Sequence, residues 1–296
     1  MVVLIVGLWQ CASNYKAHVE KAVAGDKSAK VHGKRLDVGQ LAKDGYSYRG
    51  MGDDEETLRQ TINLQWASQA ENNKGLENLP IVAMCDTSGS MECDDGLPLN
   101  NAIGLSIRIS EVCHPAFRDR ILTWDAIPKW VRTNDCRDFV EKAQTVRNAA
   151  WGMNTDFEKA YQHILDVAVH HDVVPESMPT MLLVLSDMQF NDSQRGGCWG
   201  TNEPMTHFGH MKEEYEKAGY KLPKIVFWNL DAHFGTPAQC DDDSVAMVSG
   251  FSPSIMKAIL NAEEFTPMDV MMEALKPIEI DYVNLPEDFE YELENG

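Results

Sequence analysis

Five short runs of the chain are apolar at nearly every position: Ile81 to Cys85, Ile121 to Trp124, Met181 to Leu185, Ile225 to Leu230 and Val245 to Val248. They lack the polar alternation of a half-exposed sheet and predict strands covered on both faces. Between them the spacing turns helical. Phe157, Ala160, Tyr161, Ile164, Leu165 and Ala168 repeat at three and four residues, which places one apolar stripe along a helix facing the sheet. Ser252-Pro253 and Thr266-Pro267 each offer a hydroxyl at an N-cap and a proline at the first helical position, so two later helices are expected to open there. Strands alternating with amphipathic helices build βαβ units. The expected fold is α/β, a Rossmann-like doubly wound, mostly parallel sheet flanked by helices, over residues 79–277.

The pattern loosens on either side. Residues 1–78 read as a mixed, mainly helical N-terminal extension. The acidic stretch MGDDEETLRQ leads to sparse apolar positions (Leu58, Ile62, Leu64, Trp66), and a linker or a last helix is expected to end in SQAENNKGLENLP. Residues 278–296 carry Glu279, Asp281, Glu287, Asp288, Glu290, Glu292 and Glu294 with no Lys or Arg, and read as a solvated acidic tail. Tyr282, Phe289 and Tyr291 offer it either anchors or a means of docking on a basic partner.

Charge changes this picture in one place. The 296 residues are 44% hydrophobic and 24% charged, the balance of a folded protein, with a net charge of −20 and a pI near 4.7. Such a surface repels phosphate backbones and anionic lipid, which argues against a whole-surface nucleic-acid binder and against a membrane partner. Residues 1–50 depart from it, with eight Lys or Arg against four Asp or Glu. That segment is either a solvated helix-and-loop surface or a local nucleic-acid patch. The seven cysteines include no CxxC pair, so no zinc ribbon or disulfide framework is readable. The apolar opening Met1 to Trp9 is too short to span a bilayer and lacks a basic start. A reducing, cytoplasmic setting is expected.

The sharpest chemical signal is IVAMCDTSGSM, Ile81 to Met91. An apolar strand runs into Asp86, and Ser88 and Ser90 follow at alternate positions in a turn containing Gly89. One carboxylate and two hydroxyls then converge beyond the strand's carboxyl end, where open α/β sheets bind ligands. Asn154-Thr155-Asp156 directly precedes the best amphipathic helix, and Asp187 follows the strand Met181 to Leu185 at the same edge. These are hard oxygen ligands suited to Mg²⁺, or to Ca²⁺ or Mn²⁺. Asp156, with Asn154, is a candidate for orienting a metal-bound water.

A DxSxS turn after a strand, a Thr before a helix and an Asp after the next core strand resemble the metal-ion-dependent adhesion site (MIDAS) of von Willebrand factor A (vWA) domains. The resemblance implies a ligand set of Asp86, Ser88, Ser90, Thr155 and Asp187, with a partner protein's Glu or Asp completing the coordination. LPIVAMCDTSGSM, WGMNTDFEKA, SDMQF, EKAGYKLPKIVFWNL, VAMVSGFS and PMDVMMEAL together resemble the carboxyl-terminal half of an uncharacterised family, domain of unknown function 2828. That family occurs in plants, fungi, giant viruses and phages, which extends the expected setting to a virion or host cytoplasm. It pairs a helical domain with an A domain, similar to the TROVE proteins, whose helical ring binds RNA. At most about eighty residues precede the A domain here, too few for a whole ring of that kind.

Other residues invite competing readings. A haloacid-dehalogenase-like motif needs a second carboxylate where Ser88 stands, and neither Ser88 nor Ser90 lies in a G-x-S-x-G setting. Cys198, His207 and His210 form a zinc trio without a convincing fourth ligand. His163, His170 and His171 are expected at a helix end, facing exposed carbonyls. Cys85 should point into the core, and Glu92, Asp94 and Asp95 should be solvated loop carboxylates. The expected function is divalent-metal-dependent protein binding, without enzymatic chemistry. A TROVE-like ribonucleoprotein role through the segment around Lys27 to Arg35 is the alternative, and a metal-dependent phosphohydrolase comes last.

Overall fold

The computed structural model describes residues 2–49, 55–70, 78–149, 152, 155–187, 204–231 and 245–249. The two helices expected after Ser252 and Thr266 and the acidic tail lie outside the described residues, as do Asn154 and Cys198.

Among the described residues, six strands form one sheet in the order β3-β2-β1-β4-β5-β6. They are β1 (Ile81–Cys85), β2 (Arg120–Thr123), β3 (Trp130–Arg132), β4 (Met181–Ser186), β5 (Lys224–Asn229) and β6 (Val245–Ser249). All neighbours pair in parallel except β2 and β3, which are antiparallel. This is the strand order of the Rossmann-like, doubly wound sheet, with its topological switch point between β1 and β4. Five strands fall on the five apolar runs to within a residue. The sixth, β3, was not predicted: three residues, two half-buried and one exposed, give no apolar run.

The two faces of the sheet are covered by different chain segments. Val82, Met84, Leu122, Trp124, Leu182, Val184, Ile225 and Phe227 share a core with Ala160, Tyr161, Ile164, Leu165 and Ala168 of α6 (Phe157–His170) and with Met211 and Tyr215 of α7 (Pro204–Lys217). Phe157 meets both Trp124 and Phe227 edge-on at about 6 Å, a favoured aromatic geometry. The opposite face receives α4 (Cys93–Val112), which packs on β1, β2 and β4. Cys85 points this way. It is 3% exposed, and burial pushes its thiol up to about 12, so it is an inert packing group.

From Leu99 to Ser110 every residue of α4 is buried, Asn100, Asn101, Ser106 and Arg108 included. A helix buried all round needs a second layer. The N-terminal extension supplies it with α2 (Val38–Ser47) and α3 (Glu55–Ala70), together with α5 (Phe139–Arg147); α1 (Val2–Val23) packs against α3. Backbones touch where α2 crosses α4: a methyl group added at Gly104 would meet the Val38 carbonyl oxygen at 2.4 Å. Tyr46 donates to Asn100 Oδ1 at 2.5 Å across the same contact.

Further along, Trp66 of α3 stacks on Phe139 with ring centroids 3.8 Å apart, and Arg108 of α4 lies 3.6 Å from the Trp66 ring. Arg108 also donates to the Trp66 carbonyl and to Glu111, both at 2.9 Å, and Glu111 accepts from Lys142 of α5. Asp138 caps α5 by accepting from the Glu141 amide, takes both arms of Arg59 at 2.7 and 2.8 Å, and accepts from Asn63. Burial pushes the Asp138 carboxyl up, but Arg59, the Glu141 amide and Asn63 outweigh it and hold the group below the usual carboxylate range. The extension is thus a third layer on this side of the sheet.

Candidate metal centre at the carboxyl edge of the sheet

β1 delivers Asp86 to the carboxyl edge because its backbone amide still bonds the Leu185 carbonyl at 3.0 Å, one residue past the strand. The chain then turns sharply. Asp86 Oδ1 accepts from the Ser88 amide at 2.8 Å, a local Asx-type bond, and a 3₁₀ turn over Gly89–Glu92 brings Ser88 Oγ and Ser90 Oγ to 3.1 Å. Asp86 Oδ2 accepts from the Ser186 hydroxyl at 2.7 Å. Ser186 ends β4, so the next residue, Asp187, emerges beside Asp86 across the switch point. Its amide donates to the Met91 thioether sulfur at 3.1 Å, which ties the two loops together.

The two carboxylates are 2% and 1% exposed. Burial pushes the Asp86 carboxyl up, and the negative charge of Asp187 pushes the same way, against the pull of the Ser186 and Ser88 donors. A buried acid whose charge is made costlier by a second buried acid, beside two hydroxyls with acceptor capacity, is a donor set that fits a hard divalent cation.

Thr155 reaches the same edge by another route. After β2 the Gly152 amide donates to the Trp124 carbonyl at 2.9 Å, and the Thr155 hydroxyl donates to the Asp125 carbonyl at 3.3 Å, so the loop before α6 rests on the end of β2. Asp86, Ser88, Ser90 and Asp187 are linked by direct contact or charge; Thr155 is placed on the neighbouring loop. Asp156 serves as the N-cap of α6: one oxygen accepts from the Lys159 amide at 3.2 Å and the other pairs with its ammonium group at 3.0 Å.

Three residues at the site were not singled out in the sequence. Ser186 orients Asp86. Asp231, one residue beyond Leu230 after β5, is 3% exposed at the same edge, and Cys93 lies 4.0 Å from its Oδ2. Met91 bridges the loops. The readable signal was positional: β1, β4 and β5 each run into an aspartate within two residues of their ends, Asp86, Asp187 and Asp231.

Other expectations change in detail. His163 is not at a helix end but in the middle of α6, where its Nε2 lies 2.9 Å from the Pro128 carbonyl and holds the β2–β3 loop. Glu92 and Asp95 are engaged rather than merely solvated, with Arg147 of α5 and Lys43 of α2, each at 2.5 Å. Asp94, Asp95 and Gly96 follow the site in three consecutive left-handed conformations before the regular part of α4 begins. His210 of α7 faces Glu158 and Glu214, both at 3.9 Å.

Residues 80–282 match a family model described as a domain of unknown function, DUF7788. The chain belongs to this family. Its designation differs from that of the family its motifs resemble, and it is equally silent on activity. Among curated proteins, the chain is 31% identical over 222 residues to uncharacterized protein L728 of Acanthamoeba polyphaga mimivirus. The alignment covers 74% of this chain and 37% of the viral protein, so the chain spans little more than a third of that relative's length. Among solved structures, the crystal structure of the Deinococcus radiodurans RO (RSR) protein aligns with a TM-score of 0.41 at 16% identity, over 82% of this chain and 45% of that one. No helix among the described residues is long and apolar enough to cross a membrane.

Proposed function

We propose that this member of the DUF7788 family is a divalent-cation-dependent protein-binding module, its sheet a vWA-type domain and its carboxyl edge a MIDAS. The observation that carries this reading is the pair of buried carboxylates, Asp86 and Asp187, at adjacent strand ends on the switch point, next to two hydroxyls 3.1 Å apart. Mg²⁺, or Ca²⁺ or Mn²⁺, would be held by Asp86, Ser88, Ser90 and Asp187, with Thr155 from the neighbouring loop. Bound there, the cation supplies a local positive charge on an acidic protein and an open position for a partner's Glu or Asp. Asp86 Oδ2 is kept in place by Ser186, and Met91 keeps Asp187 in register. No bond is made or broken, and the protein acts as a scaffold in cytoplasm or, for a viral member, in the virion or host cytoplasm.

The test is a pull-down with the full chain in Mg²⁺ and in EDTA, alongside D86N, with protein and RNA identified in each eluate. The expected result is a protein partner retained in Mg²⁺ and lost both in EDTA and with D86N, while circular dichroism shows an intact fold. A partner captured equally well in EDTA overturns the reading.

A second reading rests on the loop between α1 and α2, where Lys27, Lys30, Lys34 and Arg35 are all exposed. It assigns the chain to a TROVE-like ribonucleoprotein, with RNA held by this loop. RNA in the eluate that falls away steeply with salt and with loss of these side chains supports it. Its absence at low salt removes it.

A further inference from the structure

The end of the sheet opposite the candidate metal centre holds a second arrangement of charge. Arg120 opens β2, Arg132 closes β3, and the two are direct partners across the antiparallel ladder. Side chains of such partners leave the same face of the sheet, and like charges placed so are destabilising. This face is the one α6 covers. The Arg120 guanidinium reaches the end of that helix, 3.1 Å from Nη2 to His171 Nε2. A guanidinium can only donate, so His171 accepts there as a neutral imidazole. His170 packs edge-on against His171 with ring centroids 5.1 Å apart.

Nothing anionic among the described residues answers this cluster. Among the described residues, the charge pressing on Arg120 is that of Arg132, and the arginines pressing on His171 are Arg120 and Arg132. Asp119, next to Arg120, is taken by Lys142 at 2.7 Å and by the Thr133 hydroxyl. Asp172, next to His171, is exposed and forms no ion pair among the described residues. A helix C-terminus accounts for two histidines. It does not account for two arginines facing each other on strands of a protein whose net charge is −20.

We propose that Arg120, Arg132, His170 and His171 form a binding site for a phosphate group, either free orthophosphate or a phosphate monoester. Two arginines that are cross-strand partners on one face offer planar donor forks of the kind that pair with phosphate oxygens, and two histidines stand at the helix end that Arg120 reaches. A bound dianion offsets the cross-strand repulsion. Arg132, His170 and His171 are exposed and Arg120 is half-buried, so the site is open to solvent. It lies at the amino edge of the parallel strands and is independent of the cation site.

The experiment is calorimetric titration of the full chain at low ionic strength with inorganic phosphate in one arm and a nucleoside 5′-monophosphate in the other. Saturable one-site binding is expected; tighter binding of the nucleotide assigns the monoester, and equal binding assigns the free ion. R132Q changes an exposed edge position that the fold does not need. It should weaken phosphate binding about tenfold, as loss of a charged hydrogen-bonding pair does. The same substitution should raise the melting temperature of the phosphate-free protein, because the repulsion between partners is gone. R120Q is the second variant and should weaken binding in the same way. Unchanged phosphate affinity in R132Q, or no binding of either ligand to the unmodified chain, overturns the proposal.

Discussion

The helix α4 runs between two charged regions that solve the same problem in opposite ways. Toward its C-terminal end, Arg108, Glu111, Lys142 and Asp119 form an alternating chain of opposite charges, with Arg59 and Asp138 beside them. At its N-terminal end, Asp86 is held by hydroxyl and amide donors and faces the charge of Asp187. In the first region the chain completes its own electrostatics, and the result is adhesion between layers. In the second, acid is gathered with acid, an arrangement that raises the cost of the apo state and lowers that of a cation-bound one. Paired charge marks structure here, and unbalanced charge marks where a ligand belongs.

Substitutions should separate the two regions. The largest effect is expected from Trp66→Ala, which removes the stack on Phe139 and leaves Arg108 buried without its aromatic face. A loss of about 3–5 kcal/mol is expected by urea denaturation, typical of removing a buried tryptophan. A loss below about 1 kcal/mol would mean that the extension is not a third layer. Next comes cation addition. With ligand at about 100 times its Kd, a single site stabilises the fold by about 2.7 kcal/mol. Thermal unfolding should show this gain for the unmodified chain and none for D86N, which in EDTA should be at least as stable as the parent.

Gly104→Ala tests the crossing of α2 and α4 more gently. The new methyl meets the backbone of Val38, not a movable side-chain tip, so a cost of about 1–3 kcal/mol is expected, with cation affinity unchanged. The smallest effect is in the pH dependence. Asp86 has a folded-state pKa above its unfolded value. Its contribution to stability is therefore fully present below the unfolded pKa and is lost as pH rises through the folded one. Asp138 is the reverse: its contribution is present above the unfolded pKa and is lost as pH falls through the folded one. Unfolding free energies in EDTA from about pH 3 to about pH 8 should show D138N flattening the acid limb and D86N flattening the opposite one. Parallel shifts in the two variants would erase the distinction.

The parts of this architecture that were legible in the sequence share a physical cause. Strands buried on both faces leave uninterrupted apolar runs, so β1, β2, β4 and β5 could be read directly, and the apolar run Val245 to Val248 marked β6. α6 has one wet face, and its stripe was plain. α4 has no wet face along its buried stretch, and its interior polar residues Asn100, Asn101, Ser106 and Arg108 blur any periodicity. For the same reason the docking of α2 and α3 was invisible: the surface that receives them does not look apolar. Asp86, Ser88 and Ser90 were legible because a single turn carries them. Ser186 and Asp231 act across strands, and only the sheet order brings them to that edge.

The burial of α4 also separates two kinds of boundary. The family match begins at residue 80, whereas the covering that α4 requires begins with Val38. A fragment cut to the family's limits would keep the sheet and the acidic turn yet bare one flank of its central helix to water. The family's limit, in this protein, falls some forty residues after the start of the layer that covers its central helix.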